Sequence, residues 1–164
     1  MIVYHGSNMI VEKPVLIHPN RALDFGNGFY TTINIEQAQS FANNVVDRNN
    51  GEGTPTVSCY EIDYDKILQE LNILKFDNPN EKWLDFVYEC RMAKYIGEQY
   101  DIIIGPVAND TLYRVFRQYE SGDIDRETTI KKLKVTELYN QMTFCTEKAI
   151  EALKFIKSEV FGNG

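Results

Sequence analysis

Cysteine is scarce in this chain, and the few residues present are badly spaced for chemistry. There are three, Cys59, Cys90 and Cys145, far apart and with no CxxC pair. An odd count without ligand spacing argues against a disulfide framework and against a zinc site, so no metal is expected. It fits a reduced, cytoplasmic chain with thiols in its core. Histidine is scarcer still, with two residues, His5 and His18. Basic charge is also short: 17 Lys and Arg stand against 24 Asp and Glu, a net charge of −7. Non-specific binding to nucleic-acid backbone needs clustered Lys and Arg, so this balance disfavours it while suiting a basic partner surface. No apolar run reaches transmembrane length, so no membrane association is expected. The basic and long apolar segments of a secretory leader are missing from the N-terminus. Internal repeats and low-complexity segments are absent too. What remains is 43% hydrophobic and 25% charged over 164 residues, the composition of a soluble globular chain. The length suggests a single domain spanning residues 1–164.

Two stretches stand out against this ordinary background. The first is Phe25-Gly-Asn-Gly-Phe-Tyr-Thr-Thr32. Gly26 and Gly28 permit backbone conformations that other residues reach only with strain, and they let a ligand approach the main chain. The aromatic and β-branched residues after them favour an extended segment. Asn34 and Gln37 then have the spacing of a capping box that opens a helix. The second stretch is Met1-Ile-Val-Tyr-His-Gly-Ser7, an apolar strand ending in His5-Gly6-Ser7. A glycine beside the histidine exposes backbone N–H and C=O groups with which an amide-bearing ligand can pair. Taken alone, each stretch also reads as a turn or strand end of a core.

Together, Tyr-His-Gly-Ser and Phe-Gly-Asn-Gly-Phe-Tyr resemble the ADP-ribosyltransferase superfamily, in the branch whose triad begins His, Tyr. The likeness is also to a bacterial domain family of that superfamily found in toxin–antitoxin pairs, and it runs over nearly the whole chain. The resemblance implies an α+β fold of two packed, mostly antiparallel sheets with helices around a central cleft for NAD. It assigns His5 to a ribose hydroxyl, the Gly6 main chain to the nicotinamide amide and Tyr30 to ring stacking. Gly6, Ser7, Arg21, Phe25, Gly28 and Phe41 form the expected cofactor-binding set. Phe41 lies eleven residues after Tyr30, where polymerase-like members place an aromatic that stacks on nicotinamide. Arg21 sits in a proline-containing loop, and a guanidinium there matches the oxygens of a diphosphate. His18, in the same loop, reads as solvated.

The rest of the chain reads as alternating elements in irregular order, which argues for α+β. A helix is expected from about Ile35 to Val46, with Ala38, Phe41, Ala42 and Val45 on its buried face. Thr56–Ile62 and Leu71–Phe76 read as strands, and Val15-Leu16-Ile17 as a short extended piece. Asn78, Pro79 and Glu81 read as the start of a helix with Trp83, Phe86, Val87 and Cys90 inward. Tyr100–Val107 is the most buried-looking strand, closed by Gly105-Pro106. Asp110 and Asp125 are expected as helix caps. Asn140–Cys145 reads as a strand, then Thr146 as the cap of a C-terminal helix with Ile150, Leu153 and Ile156 inward.

That last strand carries the remaining triad position. In the family it is usually Glu; here Gln141 falls there. Glu147, in the first turn of the expected helix, reads as a residue favoured by the helix dipole. Glutamine can donate and accept a hydrogen bond but cannot carry charge or take a proton. The departure puts chain elongation in doubt and is compatible with transfer of a single ADP-ribose. The implied function is a mono-ADP-ribosyltransferase that uses NAD as co-substrate, acting on a protein or nucleic-acid acceptor and paired with a cognate antitoxin protein. Two alternatives accompany it: a non-enzymatic NAD- or ADP-ribose-binding module, and an RNA 2′-phosphotransferase-like enzyme. The two histidines and acidic balance count against the latter.

Overall fold

A computed structural model describes residues 1–16, 24–92, 94–107, 110–134 and 139–161; the side chains of 107, 110–113, 133, 134 and 139 are not described. Its elements run β1 (Ile2–Ser7), β2 (Phe29–Thr31), α1 (Ile35–Arg48), β3 (Thr56–Glu61), α2 (Tyr64–Glu70), β4 (Ile73–Lys75), α3 (Glu81–Arg91), β5 (Ile102–Val107), α4 (Asp110–Glu120), α5 (Arg126–Lys134), β6 (Tyr139–Phe144), α6 (Glu147–Ile150) and β7 (Lys154–Val160). The class is α+β, as expected. One sheet has the order β1-β3-β7 and the other β2-β6-β5-β4. All pairings are antiparallel except β4 with β5.

Three apolar clusters hold these layers. Between the sheets, Val3 and Tyr60 of the first meet Phe29, Ile102, Met142 and Phe144 of the second. On the other face of the second sheet, Ile103 packs with Phe25, Phe76, Trp83, Phe86, Val87 and Phe116, where α3 and α4 cover it. On the outer face of the first sheet, Ala38 of α1 meets Val57 and Cys59. Successive strand residues point to opposite faces, so a strand covered on both sides reads as an unbroken apolar run. Ile102-Ile103-Ile104 of β5 is that case.

Helix starts follow the capping chemistry, with two departures. Asn34 Oδ1 accepts from the Gln37 backbone N–H at 3.1 Å, as expected. Gln37 does not reach back to complete the box. Its amide lies 2.8 Å from the Thr32 hydroxyl, and Thr32 Oγ1 itself accepts from the Asn34 N–H. The cap of α3 is Asn80, accepting from the Trp83 N–H at 3.0 Å, rather than Asn78. Asp125 and Thr146 cap α5 and α6 as anticipated. The side chain of Asp110, the other expected cap, lies outside the described residues.

The C-terminal segment departs most. The helix expected after Thr146 ends at Ile150, and Lys154–Val160 is a strand on the edge beside β3. Ile150, Leu153 and Ile156 are spaced by three, which imitates a helical stripe. Phe155 and Ile156 are instead strand-favouring residues, and β3 offers them a ladder. Ile156 is 47% exposed. Val15 and Leu16 form no strand. Pro106 does not close β5 but continues it. The Ile104 carbonyl accepts from Phe76 N–H on the β4 side, so Pro106, two residues on, also turns its main chain that way. There β4 has ended, no ladder donor is required, and Trp83 Nε1 caps the Pro106 carbonyl at 2.9 Å.

Candidate functional site

Among the described residues one backbone bridge joins the two sheets. Tyr4 and Thr32 exchange both main-chain hydrogen bonds, at 2.8 and 2.9 Å. Beyond this bridge β1 and β2 diverge, and a gap opens between His5-Gly6 on one side and Tyr30 on the other. Because Tyr4 spends its N–H and C=O on Thr32, the alternation of an antiparallel strand turns His5 toward β3 and Gly6 toward the gap. Gly6 pairs in register with Val57, but its amide and carbonyl point away from β3, where no strand partner meets them among the described residues.

Gly6 is glycine for a second reason. A Cβ there would sit 2.0 Å from the Ala38 carbonyl oxygen and 2.8 Å from the Ala42 nitrogen. Helix α1 therefore packs its own main chain against Gly6, and the missing side chain sets how closely the helix approaches. Gly28 is explained similarly: a Cβ would lie 2.8 Å from Thr143 Cγ2 and 2.9 Å from the Phe144 carbonyl. Gly26 alone in this turn has a positive φ, 77°.

His5 bridges the gap. Its Nδ1 lies 2.7 Å from the Tyr30 carbonyl, and its ring stacks on Phe29 at 4.1 Å. A carbonyl can only accept, so Nδ1 carries the proton and Nε2 is left with a lone pair in the neutral ring. Burial lowers the pKa of this histidine below its ordinary value, opposed by the bond to Tyr30. His5 is thus neutral near pH 7, with Nε2 able to accept a hydrogen bond from a hydroxyl.

Tyr30 is held from its far end. Its hydroxyl donates to the Gly26 carbonyl at 2.5 Å and accepts from the Phe25 N–H at 3.2 Å. Burial, then the Asp24 carboxylate, raise its pKa well above the tyrosine norm. The hydroxyl therefore stays protonated and pins the glycine turn, leaving the half-buried ring as the surface Tyr30 can offer. Across the β2–β6 ladder Tyr30 stands opposite Thr143. Gln141, two residues earlier on β6, shares the Thr143 face and stands opposite Gly105. Gln141 is 3% exposed, and its Nε2 has no partner.

The expected site residues divide by this geometry. Gly6, Tyr30 and Gln141 come to the outer side of the gap, toward α1 and α3. His5 lies on the Phe29 side and reaches the same gap through the Tyr30 carbonyl. Ser7 is half-buried beside it, its hydroxyl directed at Asn8 Oδ1 at 3.4 Å. Phe25 is packed between Phe76 and Phe86 in the core beneath the turn. Phe41, expected on the buried face of α1, is 37% exposed; Gln37, Ala38 and Ala42 are the residues buried there. Arg21 and His18 lie outside the described residues. Glu147 is exposed at the start of a helix of four residues.

Sequence reasoning missed Arg91. Its Nε and Nη2 both reach Asp24 Oδ1, at 2.8 and 2.5 Å, and its guanidinium lies 5.2 Å from the Phe116 ring centre. The pair is largely buried, with 15% and 6% of the side chains exposed. It ties the residue that opens the glycine turn to the end of α3. An Asp ahead of the glycines was the available signal, but nothing local marked its partner 67 residues away. Among the described residues no group of His, Cys, Asp and Glu is arranged to hold a metal ion, and no helix is long and apolar enough to cross a membrane. A family model described as a protein of unknown function (DUF3990) matches residues 1–155. No curated protein and no solved structure matches the chain.

Proposed function

We propose a reading for this chain, which belongs to the DUF3990 family: it is a mono-ADP-ribosyltransferase that binds NAD in the β1–β2 gap. The observation that carries the reading is the main chain of Gly6. Its N–H and C=O face the gap side by side, the donor–acceptor pair that a primary carboxamide such as nicotinamide complements with its own C=O and NH2. The Tyr30 ring flanks the same gap, where it can lie against a flat cationic ring. Neutral His5 presents Nε2 as an acceptor for a ribose hydroxyl, and Gln141 adds an uncharged donor.

Cleavage of the nicotinamide–ribose bond develops positive charge on the sugar. The protein's part is to hold the two halves in the geometry in which that bond opens. Gln141 can orient a hydroxyl in this state but supplies no charge and takes no proton, so the acceptor must bring its own base or find one nearby. That is compatible with transfer of a single ADP-ribose and counts against chain elongation. We propose a macromolecular acceptor, protein or nucleic acid, a cytoplasmic setting and a cognate antitoxin protein as partner, on the family resemblance alone.

One observation favours a second reading, a module that binds NAD or ADP-ribose without turnover: the buried Gln141 puts no carboxylate at the triad position. A single experiment separates the two. NAD labelled in the adenylate half is incubated with protein and cell lysate, and free nicotinamide is measured alongside label in macromolecules. Release with incorporation supports transfer. Saturable NAD binding with neither supports the module, and the absence of all three overturns both.

A further inference from the structure

Polar atoms buried without a partner are rare in folded proteins, because each forfeits its bonds to water. Among the described residues three side-chain atoms are in this state: Gln37 Nε2, Gln141 Nε2 and Thr143 Oγ1. Two of the three are on β6, two residues apart and therefore on one face. Thr143 is fully buried and stands directly opposite Tyr30. Its methyl is the atom that lies against Gly28.

Among the described residues, the polar groups of the adjoining turn and strand are committed elsewhere. The Tyr30 hydroxyl gives its proton to Gly26 and accepts from Phe25. Asp24, the carboxylate that bears on Tyr30, is held by Arg91. The Cys145 thiol turns to the Thr143 carbonyl at 3.6 Å and not to its hydroxyl. Met142 and Phe144, on either side along the strand, face the opposite cluster. A neutral amide donor and a neutral hydroxyl, aligned along one strand on the face that carries the Tyr30 ring, match a ligand part that is itself uncharged and carries hydroxyls. A phosphate or carboxylate would call for a cation there, and the described arginine nearest the turn is paired.

We propose that Thr143 is a ligand-positioning residue of this site, which acts with Gln141 to hold a vicinal diol. Resting on the NAD reading above, the diol is that of the ribose bearing nicotinamide. Thr143 thereby sets specificity for a sugar with both hydroxyls over one lacking them.

The test uses Thr143→Val, which keeps the shape and removes only the hydroxyl, with Thr143→Ser as the conservative rescue. Melting without ligand and affinities for NAD, ADP-ribose and nicotinamide are measured for each. An orphan hydroxyl predicts that Thr143→Val melts at or above wild type. It should bind NAD and ADP-ribose about 3- to 10-fold more weakly, the range of one neutral hydrogen bond, with nicotinamide unchanged. Thr143→Ser should recover affinity. Unchanged NAD affinity in Thr143→Val overturns the inference and leaves the NAD reading standing. Melting below wild type shows that the hydroxyl has a partner inside the fold and overturns the inference too. Failure of the wild-type protein to bind either NAD or ADP-ribose overturns both.

Discussion

Replacing Gly6 with alanine tests the tightest glycine contact among the described residues. The backbone of Gly6 lies outside the positive-φ region, so alanine is conformationally acceptable. Fewer unfolded conformations would then favour the variant by about 0.4–1 kcal/mol. Sterics oppose this. The new Cβ would stand 2.0 Å from the Ala38 carbonyl oxygen and 2.8 Å from the Ala42 nitrogen, far inside van der Waals contact. Both atoms belong to the helix main chain, so no side chain can rotate aside and α1 must move as a body. Overpacking costs about 1–3 kcal/mol, and a clash this deep belongs at the upper end. The steric term wins, with a net loss of roughly 1–2.5 kcal/mol. For a chain of this length that lowers Tm by about 2–10 °C. Separating α1 from β1 also displaces the main-chain amide that faces the gap, so NAD affinity should fall with stability. Thermal melting by circular dichroism and calorimetric titration read the two effects. A variant that melts at or above wild type would refute the packing argument, and one that melts lower but binds NAD normally would remove Gly6 from the site.

Three further outcomes are expected. The pKa of His5 is lower folded than unfolded, so stability it contributes is present above about pH 6.5 and is lost as pH falls, because only the unfolded chain then takes up the proton; Tm measured from pH 7.5 to 5.5 should fall less in His5→Asn than in wild type. Gln141→Ala should reduce nicotinamide release about tenfold or more with little change in Tm, whereas Glu147→Gln, on the exposed short helix, should leave both near wild type; the reverse pattern would move the catalytic role to Glu147. Arg91→Ala removes the guanidinium from its buried ion pair with Asp24, a change of the kind that costs about 3–5 kcal/mol, and denaturant unfolding should show a large loss that Asp24→Asn, Arg91→Met together partly recover.

Most of the scaffold was legible because periodicity declared it. The apolar run of β5, the stripe of α3 and the caps Asn34, Asp125 and Thr146 could all be read locally. Helix α2 could not. It has seven residues and buries only Ile67, too little to print a stripe. β7 was misread because Ile150, Leu153 and Ile156 fall three apart, while its partner β3 lies about a hundred residues earlier in the chain. At the site, His5, Gly6, Tyr30 and Gln141 were named from a resemblance, and the geometry gathers three of them on one side of the gap. Gly28 and Phe25 also looked ligand-facing, because a tightly packed glycine and a buried aromatic look the same on paper as exposed ones. Thr143 was passed over between Met142 and Phe144. Its signal was a polar residue set between two apolar ones in a strand covered on both faces, which becomes informative only once both coverings are known.

The middle of the second sheet is the last part of it to be synthesised. β6 (Tyr139–Phe144) fits between β2 and β5, so both neighbours exist before it does. From the end of β5 at residue 107 to the end of β6 at residue 144 the ribosome adds 37 residues (144 − 107), about 2–7 s at ordinary elongation rates of 5–20 residues per second. Through that interval β2 and β5 each wait with an unpaired edge, open to any other extended segment. Gln141 and Thr143 arrive on the strand that closes the breach. A growing chain therefore closes its second sheet and places Gln141 and Thr143 in the same step, and one arrested before β6 has done neither.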